Sequence, residues 1–189
     1  MRVPFLFVFL ALITSANARI GETSIQCADR YGRPKDTNLT AILDKNSPLL
    51  EGAVHHTYEY QGWKIRAAFL QLDGPAVRMD FQKTSAAPTG LVIRDDELQA
   101  IASANTPAGM TWKPIAYNNP DLPGNILTKL GQAYFAGAMG EKMWLRSDGA
   151  ILWLRSHLIV RLELPAARQH EEALKNAKEQ KARASVPKF

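Results

Sequence analysis

The chain has 189 residues, a formal net charge of +5 at pH 7 and a sequence pI near 9.4. Much of the positive surplus lies in residues 175–189, so it is a property of the tail and gives no evidence for a nucleic-acid-binding face. Cys27 is the only cysteine, which excludes an internal disulfide and leaves core burial to stabilise the fold. We expect Cys27 to be a buried small hydrophobe on a helix, rather than a thiol that reacts or pairs with a partner.

Residues 1–18 predict a secretory signal peptide. Arg2 provides a positive start, an apolar run occupies residues 3–13, and Ala-Asn-Ala at 16–18 has the small-x-small pattern of a cleavage site. The apolar run is well short of the ~20 residues that a bilayer span needs, which disfavours a membrane anchor. No cysteine directly follows the run, which disfavours a lipoprotein. We therefore expect an exported protein, either periplasmic or secreted.

Residues 19–83 are predicted to form a first helix-plus-meander half. Thr23 and Gln26 have the spacing of a capping box, which predicts a helix from Thr23 to Tyr31. Gly32 and Pro34 suit the end of that helix. Residues 57–81 then alternate between apolar and polar, with Gly-containing turns inside the stretch, which predicts an antiparallel meander.

Residues 84–90 are the predicted linker, because proline and small polar residues cluster there. A second half is predicted over 91–165. It would begin with a helix from Asp95 to about Asn105, whose acidic first turn favours the helix N-terminus. Residues 107–124 indicate a loop. The apolar stretch Ile126–Gly140 is expected either to pack on the sheet or to lie exposed as a partner-binding surface, and packing is the favoured alternative.

Residues 143–164 predict a second meander, in which Asp148-Gly149 is a strong hairpin signal. The alternation places Arg161 and Glu163 on a face that we expect to be solvated. The two meanders follow a similar plan, so a true internal repeat and a chance likeness both remain open. Residues 166–189 predict a basic helical tail, mostly solvated, which could alternatively contact a partner or an anionic membrane surface.

Together these elements predict an α+β fold. An antiparallel sheet would be built from two helix-plus-meander halves, with the two helices on one face and a charged helix at the C-terminus.

Several landmarks recur in one order along the chain. RYGRP occupies residues 30–34, Asn105 follows the second helix, Trp112 comes shortly after, and WLRSDG occupies residues 144–149. In this order they resemble a group of small, exported, uncharacterised bacterial proteins, which implies a shared fold and export but no activity. More distantly, the helix and meander resemble the β-lactamase inhibitory protein and the small outer-membrane assembly lipoprotein. The chain lacks the cysteines of both, so only the fold is implied.

Two candidate sites follow from the residues. If Trp144 and Trp153 share the solvated face with Arg146 and Arg155, they would form an aromatic and cationic surface for a protein or glycan partner. The alternative is a hydrolase-like site assembled from the residues His55, His56, Asp148 and His157.

Specific catalytic or cofactor motifs are missing from the sequence. It has no G-x-S-x-G elbow, no phosphate loop and no dinucleotide fingerprint, and adjacent strand histidines point to opposite faces, which disfavours a shared metal. We therefore expect no cofactor and no metal. The leading hypothesis is a non-catalytic protein-binding module of the periplasm or cell envelope.

Overall fold

The computed structural model describes residues 19–37, 49–115 and 142–185. The predicted signal peptide and the stretch Ile126–Gly140 lie outside these residues. The described part forms three helices and seven strands, which confirms the predicted α+β fold. The helices are α1 (Ser24–Tyr31), α2 (Asp95–Ala104) and α3 (Pro165–Ala184), and the strands are β1 (Val54–Tyr60), β2 (Trp63–Phe69), β3 (Ala76–Lys83), β4 (Trp112–Pro114), β5 (Met143–Arg146), β6 (Ile151–Ser156) and β7 (Ile159–Glu163).

All seven strands join one antiparallel sheet, in the order β1-β2-β3-β7-β6-β5-β4. The two predicted meanders are β1 to β3 and β5 to β7. They meet at a seam between β3 and β7, where the last strand of each meander pairs with the other. The edge strand β4 was not predicted, because three residues ending in proline are too short for a period-two signal.

The first face of the sheet is covered by α1 and α2, as predicted. α1 begins after the N-cap residue Thr23, whose side chain accepts a hydrogen bond from the Gln26 backbone amide in a capping box. Gly32 ends it with φ of 86°, a left-handed value that suits glycine. Cys27 of α1 and Leu98 of α2 are buried in the same apolar core as Met79 and Leu162 from the seam strands.

The second face is not solvated, so the expectation for Arg161 and Glu163 was wrong. Their exposed fractions are only 2% and 1%. Alternation showed that the strands have two different faces, but it could not show that charged residues on β3 would pair with those on β7. The first turns of α3 also cover part of this face, because Ala167 packs in an apolar cluster with Val77 and Ala68.

Crossed ion pairs hold the seam together on this second face. Asp80 on β3 accepts hydrogen bonds at 2.6–2.8 Å from Arg161 on β7 and from Arg66 on β2. Two residues along β3, Arg78 donates to Glu163 at 2.7 Å and also to Glu171 of α3. The charges alternate across the sheet, so each buried charge has an opposite charge on the neighbouring strand.

The Asp80 carboxylate is a buried acid that accepts from two guanidinium groups. Burial alone would raise its pKa, but the charges and hydrogen bonds of Arg161 and Arg66 outweigh burial and hold the pKa well below its ordinary value. A carboxyl with a depressed pKa stabilises the fold above the pKa of the unfolded chain, near 3.9. This stabilisation is lost as the pH falls below that value towards the pKa of the folded protein.

α3 continues well beyond the sheet. Its later turns are mostly exposed, and Lys178 reaches back to the side chain of Glu51 at 2.6 Å. The predicted charged tail helix is therefore present, docked at its start and solvated further along. Among the described helices, none is long and apolar enough to cross a bilayer.

We expect Asp80→Asn to lower the free energy of unfolding by about 3–5 kcal/mol, since it removes the negative charge that faces two buried guanidinium groups. Asp96→Asn is the matched control, because Asp96 pairs with Arg94 on the exposed surface of α2. It should leave stability nearly unchanged. Urea unfolding at pH 7 measures both, and equal losses in the two variants would contradict a seam that depends on Asp80.

Candidate functional site

The helix-covered face contains a cavity of about 200 Å³ between α2, the end of α1 and strands β1 to β3. Aromatic rings from four different elements line it, together with the hairpin turn that joins β1 to β2. Because several of these side chains are only half-buried, the cavity is open to solvent. The aromatic residues that line it are Tyr31, Tyr60, Trp63 and Phe81.

The opposite wall of the cavity comes from α2. The helix presents one turn-spaced row of residues to it, namely Glu97, Ala100, Ile101 and Ala104. The two alanines are small, and a longer side chain at either position would fill the space. The cavity therefore exists because α2 turns its small residues towards a sheet that presents large rings.

The turn at Gln61-Gly62 forms the rim of the cavity. Both residues have positive φ, 47° and 81°, which is typical of a two-residue hairpin turn of the type that fits the strand twist. A Cβ on Gly62 would come within 2.4 Å of the Ala87 Cα. The predicted linker 84–90 thus packs on the hairpin, and the Thr84 hydroxyl donates to the Gly62 carbonyl at 2.9 Å.

We expect Gly62→Ala to cost about 3 kcal/mol or more, since backbone strain of about 1–2 kcal/mol adds to a clash with the Ala87 backbone. Gly109→Ala is the matched control. Gly109 has a similar φ of 79° but nothing within 4 Å of the added Cβ, so only the strain should appear. Thermal and urea unfolding measure both variants, and equal costs would show that the loop does not pack on the turn.

Tyr31 lines the cavity and carries an unusual buried hydroxyl. Tyr31 is 6% exposed, and its hydroxyl has no hydrogen-bond partner. Its ring contacts Tyr58 and Tyr60 at centroid distances of 5.4 and 5.6 Å. Burial raises the pKa of this hydroxyl well above its ordinary value, so it stays neutral and keeps its proton to donate. A buried hydroxyl without a partner costs stability.

We expect Tyr31→Phe to raise the free energy of unfolding by about 1 kcal/mol, because it removes a buried hydroxyl that bonds to nothing. Tyr58→Phe is the control, since the Tyr58 hydroxyl lies 3.3 Å from Nδ1 of His56. Losing that bond should lower the free energy of unfolding by about 1 kcal/mol. Urea unfolding compares the two, and a Tyr31 variant as unstable as the Tyr58 variant would mean that the Tyr31 hydroxyl has a partner.

A buried ion pair lies beside the cavity. Lys83 donates from Nζ to Thr89, to the Val92 carbonyl and to Glu97, each at 2.8–2.9 Å, and it lies 5.7 Å from the Trp63 ring centroid. Burial favours a neutral Glu97, but hydrogen bonds from the Arg94 amide, Thr89 and Lys83 outweigh it and hold the pKa of Glu97 below its ordinary value. Glu97 is therefore ionised and fully engaged, which does not suit a general acid.

The predicted binding surface is divided between the two faces. Trp144 pairs with Leu152 and Met143 pairs with Trp153, so Trp144 and Trp153 point to opposite sides of the sheet. Trp144 packs with the helix-covered core, whereas Trp153 is buried on the second face near Arg161. The Asp-Gly turn sets this register, so pairing outward from that turn could have shown the division.

The arginines predicted for that surface are likewise separated. Arg146 shares the face of Trp144, and it grips Asp148 through two hydrogen bonds while its third nitrogen donates to the Asn105 carbonyl. Its guanidinium also lies over the Trp112 ring. Arg155 lies half-buried near Arg161, where burial and then the Arg161 charge lower its pKa to about 10. Arg146 therefore has a structural role, because it connects the β5–β6 turn to the end of α2.

The alternative hydrolase-like residues do not converge. His55 is buried on the second face against the Leu50 carbonyl, whereas His56 faces the other way towards Tyr58 and Phe69. Asp148 lies in the β5–β6 turn, about four strand spacings or roughly 19 Å from β1. His157 is exposed in the β6–β7 turn, at the opposite end of the sheet from His55. These side chains form no common site.

Other reactive groups of the described residues are also structural. Cys27 is fully buried, and burial raises the pKa of its thiol to about 12, which confirms the interpretation as a core residue. Within the described ranges, no group of three or more His, Cys, Asp and Glu side chains could hold a metal ion.

The sequence did not predict the cavity. It placed Tyr60 and Trp63 on strands and Tyr31 on a helix, but it had no means of showing that the three rings meet. The missing step was the position of α1 against β1 and of α2 over β1 to β3, which is set by packing between distant segments. A weak signal was present in the pair Ala100 and Ala104, which puts two small residues on one side of α2.

Comparisons with known proteins add no family to this picture. No protein-family model matches the chain, and no curated protein and no solved structure proved similar to it. The resemblance to small exported bacterial proteins therefore stays a prediction, and function has to be argued from the cavity itself.

Proposed function

We propose that the protein is a non-catalytic binding module of the periplasm or cell envelope, which engages a partner protein through the aromatic cavity. The observation that carries this proposal is the open cavity lined by the rings of Tyr31, Tyr60, Trp63 and Phe81. Such a site is shaped to hold a group. It offers no nucleophile to attack one, because its ionisable residues are two tyrosines and an engaged glutamate.

The rim of the cavity supports a macromolecular partner. Gln61 is exposed at the hairpin turn, and Ala100 is exposed on α2, so two different elements surround the opening. Beyond the rim, the β3–α2 loop exposes Leu91 and Val92, whose exposed fractions are 47% and 57%. Exposed apolar groups close to an aromatic cavity favour a partner that inserts one side chain and covers the surroundings.

Location in the envelope rests on the sequence. The predicted signal peptide supports export, and a fold that is held by burial and ion pairs needs no disulfide in an oxidising compartment.

A photo-crosslinking residue at Gln61 in intact cells tests the proposal. Glu59 is the matched control, because it is exposed two residues away on the opposite face of β1. We expect a discrete adduct from Gln61 that Glu59 does not give, and its loss when Ala104→Leu fills the cavity. Identical adducts from both positions, or an adduct that persists in the filled variant, would contradict binding through the cavity.

A further inference from the structure

We propose that Arg155 binds the carboxylate group of a ligand, at a second site on the face of the sheet opposite the cavity. The inference goes beyond the proposed function, because Arg155 does not line the cavity. Three observations carry it. They are a β-bulge at Arg155, the charges that surround its guanidinium, and the absence of a bonded acid among the described residues.

A β-bulge in β6 sets Arg155 apart from the paired residues of the hairpin. β6 has one more residue than β7 between two successive pairs, Leu154 with Val160 and Ser156 with Ile159. The extra residue is Arg155. A bulge bends its strand and changes the direction of a side chain, and bulges are frequent beside active sites. Because Arg155 is only half-buried, a ligand can reach its guanidinium.

The charges around Arg155 favour an anion. The guanidinium groups of Arg161 and Arg78 repel it, and the carboxylates of Asp80 and Glu163 attract it. Both carboxylates are already bonded to those arginines, since Asp80 accepts from Arg161 at 2.6 Å and Glu163 accepts from Arg78 at 2.7 Å. Arg155 therefore adds a positive charge that these two acids do not balance.

Arg155 has no bonded acid among the residues that the structure describes. Its guanidinium forms neither a hydrogen bond nor an ion pair there, in contrast to Arg78, Arg146 and Arg161. Burial and then the charge of Arg161 lower the pKa of Arg155 to about 10, so the guanidinium is destabilised but stays charged at pH 7. Since the group keeps its proton, a bound anion is what compensates the charge.

One unbalanced positive charge favours a singly charged ligand. A carboxylate brings a single negative charge, and its two oxygens match the planar fork of a guanidinium. A phosphate dianion would bring a second negative charge near the carboxylates of Asp80 and Glu163, and like charges disfavour each other. The charge around Arg155 therefore selects a carboxylate over a phosphate.

Binding of small probes tests the site. The probes are acetate, the blocked amino acid N-acetyl-glutamic acid α-amide and its neutral counterpart N-acetyl-glutaminamide. Each is titrated at constant ionic strength and followed by NMR of the Arg155 Nε–H signal. We expect acetate and the glutamic acid amide to bind with Kd on the order of 10 mM, as suits one guanidinium contact. The glutamine amide should bind at least about tenfold more weakly, because it brings no charge.

Substitutions of Arg155 separate its charge from its shape. Arg155→Met keeps an apolar stem and removes the charge, so it should abolish the effect of acetate. Without a carboxylate present, it should raise the melting temperature by about 2–4 °C, because an unbalanced half-buried charge is lost. Arg155→Lys keeps the charge but not the fork, and it should weaken acetate about three- to fivefold. Arg33→Met changes an exposed arginine and is the matched control, which should alter neither quantity.

Three results would overturn the inference. A fall in melting temperature on Arg155→Met, like the fall expected for Arg161→Met on loss of an Asp80 partner, would show that Arg155 has a balanced structural role. Equal stabilisation of the wild type and Arg155→Met by acetate would place the carboxylate elsewhere. Tighter binding of inorganic phosphate than of acetate would contradict a singly charged ligand. Acetate binding without the glutamic acid amide would support the site and assign it to a small carboxylic acid instead of an acidic side chain.

Discussion

A buried carboxylate clamped between two guanidinium groups is the interaction on which the rest of the structure depends. Asp80 lies on β3, and its two partners lie on β2 and β7, so one side chain ties the last strand of each meander to the other half of the sheet. Removing one member of a buried ion pair costs far more free energy than an exposed pair contributes. The apolar pairs Met79 with Leu162 and Phe81 with Val160 complete the same seam on the opposite face.

The seam also determines where a binding site can form. With β3 and β7 fixed at the centre of the sheet, α1 and α2 share one continuous face, and the space between them lies over β1 to β3. The β3–α2 loop packs against the hairpin turn at Gly62, and the ion pair of Lys83 with Glu97 ties β3 to α2. The cavity therefore depends on how α2 packs on the sheet. The helix supplies one wall of the cavity, the β3–α2 loop packs on the turn at its rim, and Glu97 of α2 supplies the charge at its wall.

Local features of the structure could be predicted from the sequence, whereas contacts between distant segments could not. The Thr23 cap, the Gly32 terminus and the Asp148-Gly149 turn each depend on a few neighbouring residues, and the structure has all three. Burial of Arg161 depends on Asp80, 81 positions away, and no alternation pattern contains that information. The split of Trp144 from Trp153 was in principle accessible, since hairpin register follows from the turn. The meeting of Tyr31, Tyr60 and Trp63 was not, because it requires the placement of α1 against β1.

Native-state hydrogen exchange tests the central claim most directly, since it reports the free energy at which each strand opens. If the seam between β3 and β7 holds the two meanders together, the paired amides of these strands exchange only through global unfolding. Amides from both meanders then exchange with the free energy of global unfolding. Faster exchange at β3 and β7 than within β1 and β2, or two halves that open at separate free energies, would contradict a single sheet held at Asp80.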